Sequence, residues 1–252
     1  MSNIRFRFSP NVRLRMTFAQ ELLLDKNSIV FTDELFQSYI EMHKRAVSRQ
    51  ESIMKTLIFG DSALALLMSG NSLTIPGIDF NLIDIPSAPL ILAVIMSYSF
   101  MTMCLAFTNA QHYEAITQVY AQHRCGETGV DSDFVSAAHT LSELYVKTFR
   151  AKMNNTGMDF FGPGSSYKIF YGTILFICLA AVLGFVALHF YLILIAVLPE
   201  TWTIASSLLF ALCGLANLAG LLAAAGPSFL FTETLPPSHP APQTQTPEEA
   251  PE

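Results

Sequence analysis

Basic residues are missing from the last third of this chain: no Lys or Arg occurs in residues 169–252. Charged residues are scarce overall, at 13% of the sequence, whereas soluble domains carry about 25%. Hydrophobic residues reach 52%. Because the charges are segregated from the apolar runs, the composition argues against an acidic soluble domain and predicts a multi-pass membrane protein.

Sequence patterns for catalysis, cofactors and metals are also missing. The four cysteines do not occur at metal-ligand or disulfide-framework spacing. No HExxH, CxxC or GxxxxGK[ST] pattern is present. We therefore expect a non-enzymatic protein with no cofactor and no metal site.

Four apolar runs are candidate transmembrane helices, since about 20 mostly apolar residues cross a bilayer core. They cover residues 56–75, 88–108, 169–197 and 203–225. The first is the weakest because it contains Asp61 and Asn71. An even number of spans places all basic clusters on one side, and the positive-inside rule makes that side cytoplasmic. The prediction is a plasma or bacterial inner membrane protein with both termini in the cytoplasm.

The segments on the cytoplasmic side carry amphipathic helical patterns. Residues 32–55 begin with a capping threonine, Thr32, and continue without Pro or Gly toward the first span. Residues 109–168 contain two further apolar stripes and predict a helical hairpin. These stripes must be buried, either in a small bundle below the membrane or between subunits of a homo-oligomer.

The two ends of the chain have contrasting patterns. In residues 1–31, apolar residues alternate with Arg5 and Arg7, and then with Arg13 and Arg15, around Ser9-Pro10-Asn11. This predicts a β-hairpin with one arginine face. That face is either solvated or binds anionic lipid headgroups; nucleic acid is not an expected partner. The Pro-rich, acidic residues 226–252 predict a disordered tail.

Polar residues inside the spans are the candidate functional residues. Asp61, His189 and Asn217 are predicted at membrane depth, although a direct contact between Asp61 and His189 requires helix tilt. Asp61 either hydrogen-bonds to other helices, through Asn217 or the Ser97 region, or lines a pore or proton path. Asp61, Ala65 and Ser69 share one stripe of small or polar residues. A lone histidine such as His189 more often hydrogen-bonds to a neighbour.

Two classes of function follow. The leading hypothesis is an oligomeric ion-conducting or pore-forming subunit, supported by the stripe at Asp61 and by outer segments that contain only acidic charges. The alternative is a membrane-anchored adaptor whose cytoplasmic helices bind a soluble protein or anionic lipid. A transporter is less favoured because the two halves show no inverted repeat.

Overall fold

The computed structural model of the chain describes residues 3–25, 28–70, 85–126, 128, 130, 132–136, 153–154, 159–161, 165–199 and 201–234. These residues are mostly helical, as predicted, with a short strand near the N-terminus. In chain order the elements are β1 (Asn3–Phe8), α1 (Pro10–Leu24), α2 (Asp33–Met68), α3 (Ala88–Cys125), α4 (Ser132–Ser136), β2 (Met153–Asn154), β3 (Asp159–Phe161), α5 (Ser165–Val197), α6 (Ile204–Ala225) and β4 (Phe229–Thr234).

Helices α2 and α3 are long enough to extend well beyond a bilayer. They contain 36 and 38 residues, or about 54 and 57 Å at 1.5 Å per residue, against a hydrocarbon core of about 30 Å. Helix α2 starts where the capping pattern predicts, because the Thr32 hydroxyl accepts a hydrogen bond from Leu35 N–H. Both helices therefore run without a break past the predicted membrane boundary.

Among the described residues, three helices are long and apolar enough to cross a membrane: α3, residues Gly172–Val197 of α5, and α6. The predicted first span is not among them, so the four-span arrangement is not confirmed. Residues 56–68 of that predicted span form the end of α2. The last 18 residues of α2, a length close to that of a membrane span, carry three charged residues, Glu51, Lys55 and Asp61. The rest of that predicted span, from residue 71 onward, lies outside the described residues.

The predicted N-terminal hairpin is wrong. Only its first arm is a strand, β1; the second arm lies in α1. The Ser9 hydroxyl accepts a hydrogen bond from Val12 N–H at 3.4 Å, and Pro10 occupies the first helical turn. Serine before a helix and proline at its first position are favoured helix starts, so Ser9-Pro10 begins a helix rather than a tight turn.

The partner of β1 comes from the opposite end of the chain. Strand β4 pairs with it antiparallel, with Phe8 opposite Phe229 and Asn3 opposite Thr234. The prediction of a wholly disordered tail is therefore wrong for residues 229–234. Their aromatic and threonine-rich composition suits a strand, although the prolines that follow dominate the composition of the tail. Residues 235–252 lie outside the described residues.

Two separate cores form along the α2–α3 pair. The larger one is aliphatic and joins α2, α3, α5 and α6 around Leu57, Leu64 and Phe100. The smaller one is aromatic and joins α1 to the first half of α2 and the second half of α3 around Phe18, Phe36 and Tyr120. We call this second group, with its three helical segments, the aromatic bundle. Two of its segments belong to the predicted amphipathic helices in residues 32–55 and 109–168, but the third, α1, comes from the region predicted as a hairpin. The predicted bundle of three cytoplasmic helices stays a prediction.

The predicted loop between α3 and α5 is described only in pieces. Helix α4 covers five residues of the predicted second amphipathic helix, and residues 137–152 lie outside the description. Strands β2 and β3 form a short antiparallel ladder in which Met153 is opposite Phe161. That ladder was not predicted.

Candidate functional site: a buried polar chain across four helices

Four polar side chains from four different helices meet inside the aliphatic core. They are Asp61 of α2, Ser97 of α3, His189 of α5 and Asn217 of α6, and their exposed fractions are 3%, 1%, 0% and 2%. We call these four residues the polar chain. Each helix of the core contributes one member, so the polar chain links all four helices.

Hydrogen bonds join the four side chains in sequence. His189 Nδ1 lies 3.0 and 2.9 Å from the two carboxylate oxygens of Asp61. On the other side of the ring, His189 Nε2 lies 3.0 Å from Asn217 Oδ1. The Asn217 amide nitrogen then donates to Ser97 Oγ at 3.0 Å and to the Cys213 carbonyl at 2.9 Å.

The carbonyl of Cys213 fixes the position of one proton on the histidine. A carbonyl can only accept a hydrogen bond, so the NH₂ group of Asn217 must face it. Asn217 Oδ1 then faces His189 Nε2 and can only accept, so Nε2 carries a hydrogen. The amide orientation and the histidine tautomer thus follow from one backbone contact one helical turn away.

The opposite ring nitrogen shares a proton with the acid. Either Nδ1 carries it and donates to an ionised Asp61, or Asp61 carries it and donates to Nδ1. In both cases the pair has no net charge. A neutral pair is compatible with an aliphatic core, where an unpaired ion would cost several kcal/mol.

Aromatic rings enclose the imidazole. Phe100 stacks on His189 with ring centroids 4.7 Å apart and an interplanar angle of 16°. Phe190 meets the same ring edge-on at 5.8 Å and 87°. The two rings keep the imidazole in the plane in which both nitrogens reach their partners.

Two glycines let the helices approach one another at this level. A Cβ on Gly60 would overlap the sulfur of Met96, so α2 packs closely on α3 beside Asp61. A Cβ on Gly220 would lie 3.1 Å from the Cα of Met101, one turn beyond Asn217. Gly220 is one of three small residues spaced four apart on α6, with Ala216 and Ala224, and within this chain it packs α6 on α3.

Asp61 and His189 are in direct contact without the depth offset estimated from the sequence. That estimate assumed that each span ends at its last apolar residue and stands upright. Because α2 is one helix through the predicted boundary and α5 has 33 residues, neither end marks the membrane edge. Hydrogen-bonding partners on other helices therefore indicate the depth of a polar residue within the bundle better than the composition of its own span does.

The other predicted pore residues lie in different environments. Asp61 is buried, Ala65 is partly buried against the aliphatic core, and Ser69 is exposed at the end of α2. The Ser69 hydroxyl donates to the Leu66 carbonyl at 2.9 Å. Whether this stripe lines a pore stays a prediction.

The four arginines predicted to form one lipid-binding face are divided between two elements. Arg5 and Arg7 are in β1, whereas Arg13 and Arg15 are in α1. Arg15 donates a hydrogen bond to the Gln118 side chain of α3. Arg7 and Arg13 are exposed. Their binding to lipid stays a prediction.

Sequence reasoning did not identify Gly60 or Phe100. The signal for Gly60 was its position next to the only acid in an apolar run, since a glycine there permits close helix contact. Phe100 had no distinguishing signal among many apolar residues. Within the described part of the chain, no group of three or more His, Cys, Asp or Glu side chains could hold a metal ion.

Comparison with protein families, curated proteins and solved structures finds no match to this chain.

Proposed function

We propose that this chain is a non-enzymatic, multi-pass membrane adaptor. In this proposal α2, α3, α5 and α6 form a sealed anchor, and the aromatic bundle outside the membrane binds a soluble protein. The main support is the polar chain. Asp61 is buried inside its own bundle, with both carboxylate oxygens on His189, as expected for a sealed anchor.

The surface of α5 and α6 supports the anchor. Only 17% of the residues in the most apolar window of each helix are buried within the chain. An apolar surface of this extent requires lipid or protein around it. Helix α2 is less apolar than the three candidate spans. At the level of the polar chain, however, its one ionisable residue, Asp61, is paired with His189. We therefore propose that α2 is the fourth span.

The surface for the soluble partner is proposed at the far end of the aromatic bundle. Four large apolar residues are 65–76% exposed there, and we call them the distal patch: Leu23, Leu24, Ile29 and Val30. Helix α2 starts 28 residues before Asp61, so this end lies about 42 Å from the polar chain. That distance is beyond the reach of a bilayer core of about 30 Å.

Hydrogen bonds to Asp25 hold the backbone of two residues of the distal patch, Ile29 and Val30. The Asp25 carboxylate accepts hydrogen bonds from the backbone N–H groups of Ile29, Val30 and Phe31 at 3.0, 2.9 and 2.8 Å. These bonds, with that to Phe31 the strongest, lower the pKa of Asp25. Backbone held in this way loses less conformational entropy on binding than free backbone, which suits a docking surface.

Site-specific photo-crosslinking in native membranes tests the adaptor. A photoreactive amino acid that replaces Leu24 in the full chain should give one discrete crosslinked product. The same amino acid in place of Glu41, an exposed residue of α2, should not give that product. The crosslinked protein is then purified, and its affinity for wild type is compared with its affinity for Leu24→Asp. Identical products at both positions, or equal affinities, would contradict the proposal.

The second candidate is the oligomeric ion-conducting subunit. It is favoured by one observation: the ionisable side chains of Asp61 and His189 are buried in direct contact, and ionisable pairs inside membranes often belong to proton pathways. Flux measurements in proteoliposomes compare the wild type with Asp61→Asn. Flux that changes with the substitution supports conduction, whereas absence of flux from both proteins across pH and membrane potential supports the adaptor.

A further inference from the structure

A small groove between α2 and α3 lies on the side of the polar chain nearer the aromatic bundle. Its volume is about 190 Å³, and it is lined by Ala46, Arg49, Thr102, Leu105, Ala106 and Asn109. Pockets for drug-sized ligands usually have about 300–1,000 Å³. The groove is therefore suited to a small chemical group rather than to a whole metabolite.

Helix geometry places the groove at a membrane boundary. Arg49 precedes Asp61 by twelve residues and Asn109 follows Ser97 by twelve, so each lies about 18 Å from the level of the polar chain. Two exposed charged residues of α2, Glu51 and Lys55, lie between the groove and Asp61, and charged side chains avoid the hydrocarbon core. In the membrane arrangement proposed above, the groove therefore lies at the level of the lipid headgroups.

The polar end of the groove is suited to an oxyanion. Arg49 is exposed, and among the described residues no acidic side chain forms an ion pair with it. Its guanidinium offers several N–H donors, and Asn109 adds an amide. None of the lining residues is acidic. Phosphate, with several acceptor oxygens, matches such donors better than a single-point ligand does.

The remaining lining residues point to a lipid as the source of that phosphate. Leu105 is 50% exposed, and Thr102 lies about two turns deeper than Asn109. The Thr102 hydroxyl already donates to the Ser99 carbonyl at 2.9 Å, so it does not require a polar ligand. An acyl chain attached to the phosphate would extend along this apolar wall into the hydrocarbon core.

We propose that the groove binds the phosphate of an anionic phospholipid from the leaflet next to the aromatic bundle. The site rests on the membrane-embedded arrangement proposed above, but not on the identity of any soluble partner. It is distinct from the arginines of β1 and α1. Arg49 provides the charge, Asn109 a second hydrogen bond, and Leu105 the contact for the chain.

The test uses the full chain in nanodiscs of phosphatidylcholine mixed with phosphatidylglycerol. Native mass spectrometry of the released protein gives the ratio of retained phosphatidylglycerol to retained phosphatidylcholine. Wild type should retain phosphatidylglycerol preferentially, and Arg49→Gln should reduce that preference about fivefold. Arg45→Gln is the matched control, since Arg45 lies one turn away on the same helix, is 81% exposed and does not line the groove.

Further arms separate the alternatives. Asn109→Asp should also reduce the preference, because a carboxylate there repels phosphate. The site is overturned if Arg45→Gln reduces the preference equally or if wild type shows no preference. Displacement of the lipid by inorganic phosphate would overturn the assignment of the ligand as a lipid. Failure of wild type to enter the nanodisc would instead contradict the membrane arrangement.

Discussion

The hydrogen bond between Asp61 and His189 makes a quantitative prediction about stability. Each side chain is almost fully buried, so removing one leaves the other without its partner in an aliphatic core. His189→Leu leaves the Asp61 carboxyl unpaired, and it also removes the donor to Asn217. For a buried pair, loss of one partner costs about 3–5 kcal/mol of unfolding free energy. Asp61→Leu leaves one imidazole nitrogen unsatisfied and should cost about 1–3 kcal/mol.

The double substitution should cost much less than the sum of the single ones. With leucine at both positions, only Asn217 Oδ1 remains without its donor, which costs about 1–3 kcal/mol. The coupling energy between Asp61 and His189 should therefore exceed about 2 kcal/mol. Hydrogen bonds between transmembrane helices average only about 0.6 kcal/mol, so the cycle distinguishes a buried proton-sharing pair from an ordinary interhelical contact.

The assay is denaturation of the full chain in mixed micelles by increasing sodium dodecyl sulfate. The fluorescence of Trp202, the only tryptophan, reports unfolding. The centroids of its ring and that of Phe210 are 5.7 Å apart, and unfolding breaks this contact. Four proteins complete the cycle: wild type, both single variants and the double variant. A coupling energy near 0.6 kcal/mol, or a double variant that costs as much as both single variants together, would refute the reasoning.

Three further predictions concern helix packing and the aromatic bundle. Gly220→Val should lower the unfolding free energy by about 1–3 kcal/mol because α6 meets the α3 backbone there, whereas Gly214→Val, on an open face of α6, should be nearly neutral. Tyr120→Phe should cost about 1 kcal/mol, since its hydroxyl donates at 2.8 Å to the carbonyl that begins α2; Tyr98→Phe, at an exposed position of the same helix, should cost nothing measurable. Asp25→Asn should lower the melting temperature at neutral pH, and this difference from wild type should disappear as the pH falls through the lowered pKa of Asp25.

Each of these predictions has a contradicting result. Equal costs for the two glycine substitutions would mean that α6 does not pack on α3 through Gly220. Equal costs for the two tyrosine substitutions would mean that the hydrogen bond from Tyr120 to the Thr32 carbonyl does not stabilise the aromatic bundle. For Asp25 the sign follows from its lowered pKa: the ionised carboxylate stabilises the folded state above the unfolded pKa and loses that effect in acid. A difference that grows on acidification would contradict it.

The sequence predicted the elements whose signals are local. The Thr32 cap, the uninterrupted pattern that follows it and the apolar runs of α3, α5 and α6 were all readable because helix capping and hydropathy depend on neighbouring residues. The polar chain was only partly predictable. Asp61, His189 and Asn217 were singled out by their polarity, but pairing among helices far apart in sequence depends on register and tilt, which composition does not encode.

The N-terminal error has a physical cause in two competing local signals. Alternation of apolar residues and arginines on both sides of Ser9-Pro10 matched two strands. The same dipeptide is also a favoured helix start, and the residues after it include Leu22 and Phe18, four apart on a face that the aromatic bundle buries. Burial of that face stabilises the helix over a second strand. Strand β1 then pairs with β4, more than 200 residues later in the sequence.

The β1–β4 pairing sets an order for assembly. Asn3 is synthesised before every helix described above, and its partner Thr234 is synthesised after them. Throughout that interval β1 presents an unpaired edge, which is a hazard for pairing with another chain. Closing the strand pair encloses the described helices, α1 to α6, in one loop of the chain. The pairing is thus expected to be the last step of maturation, and a chain that ends prematurely after α6 would carry an open strand edge.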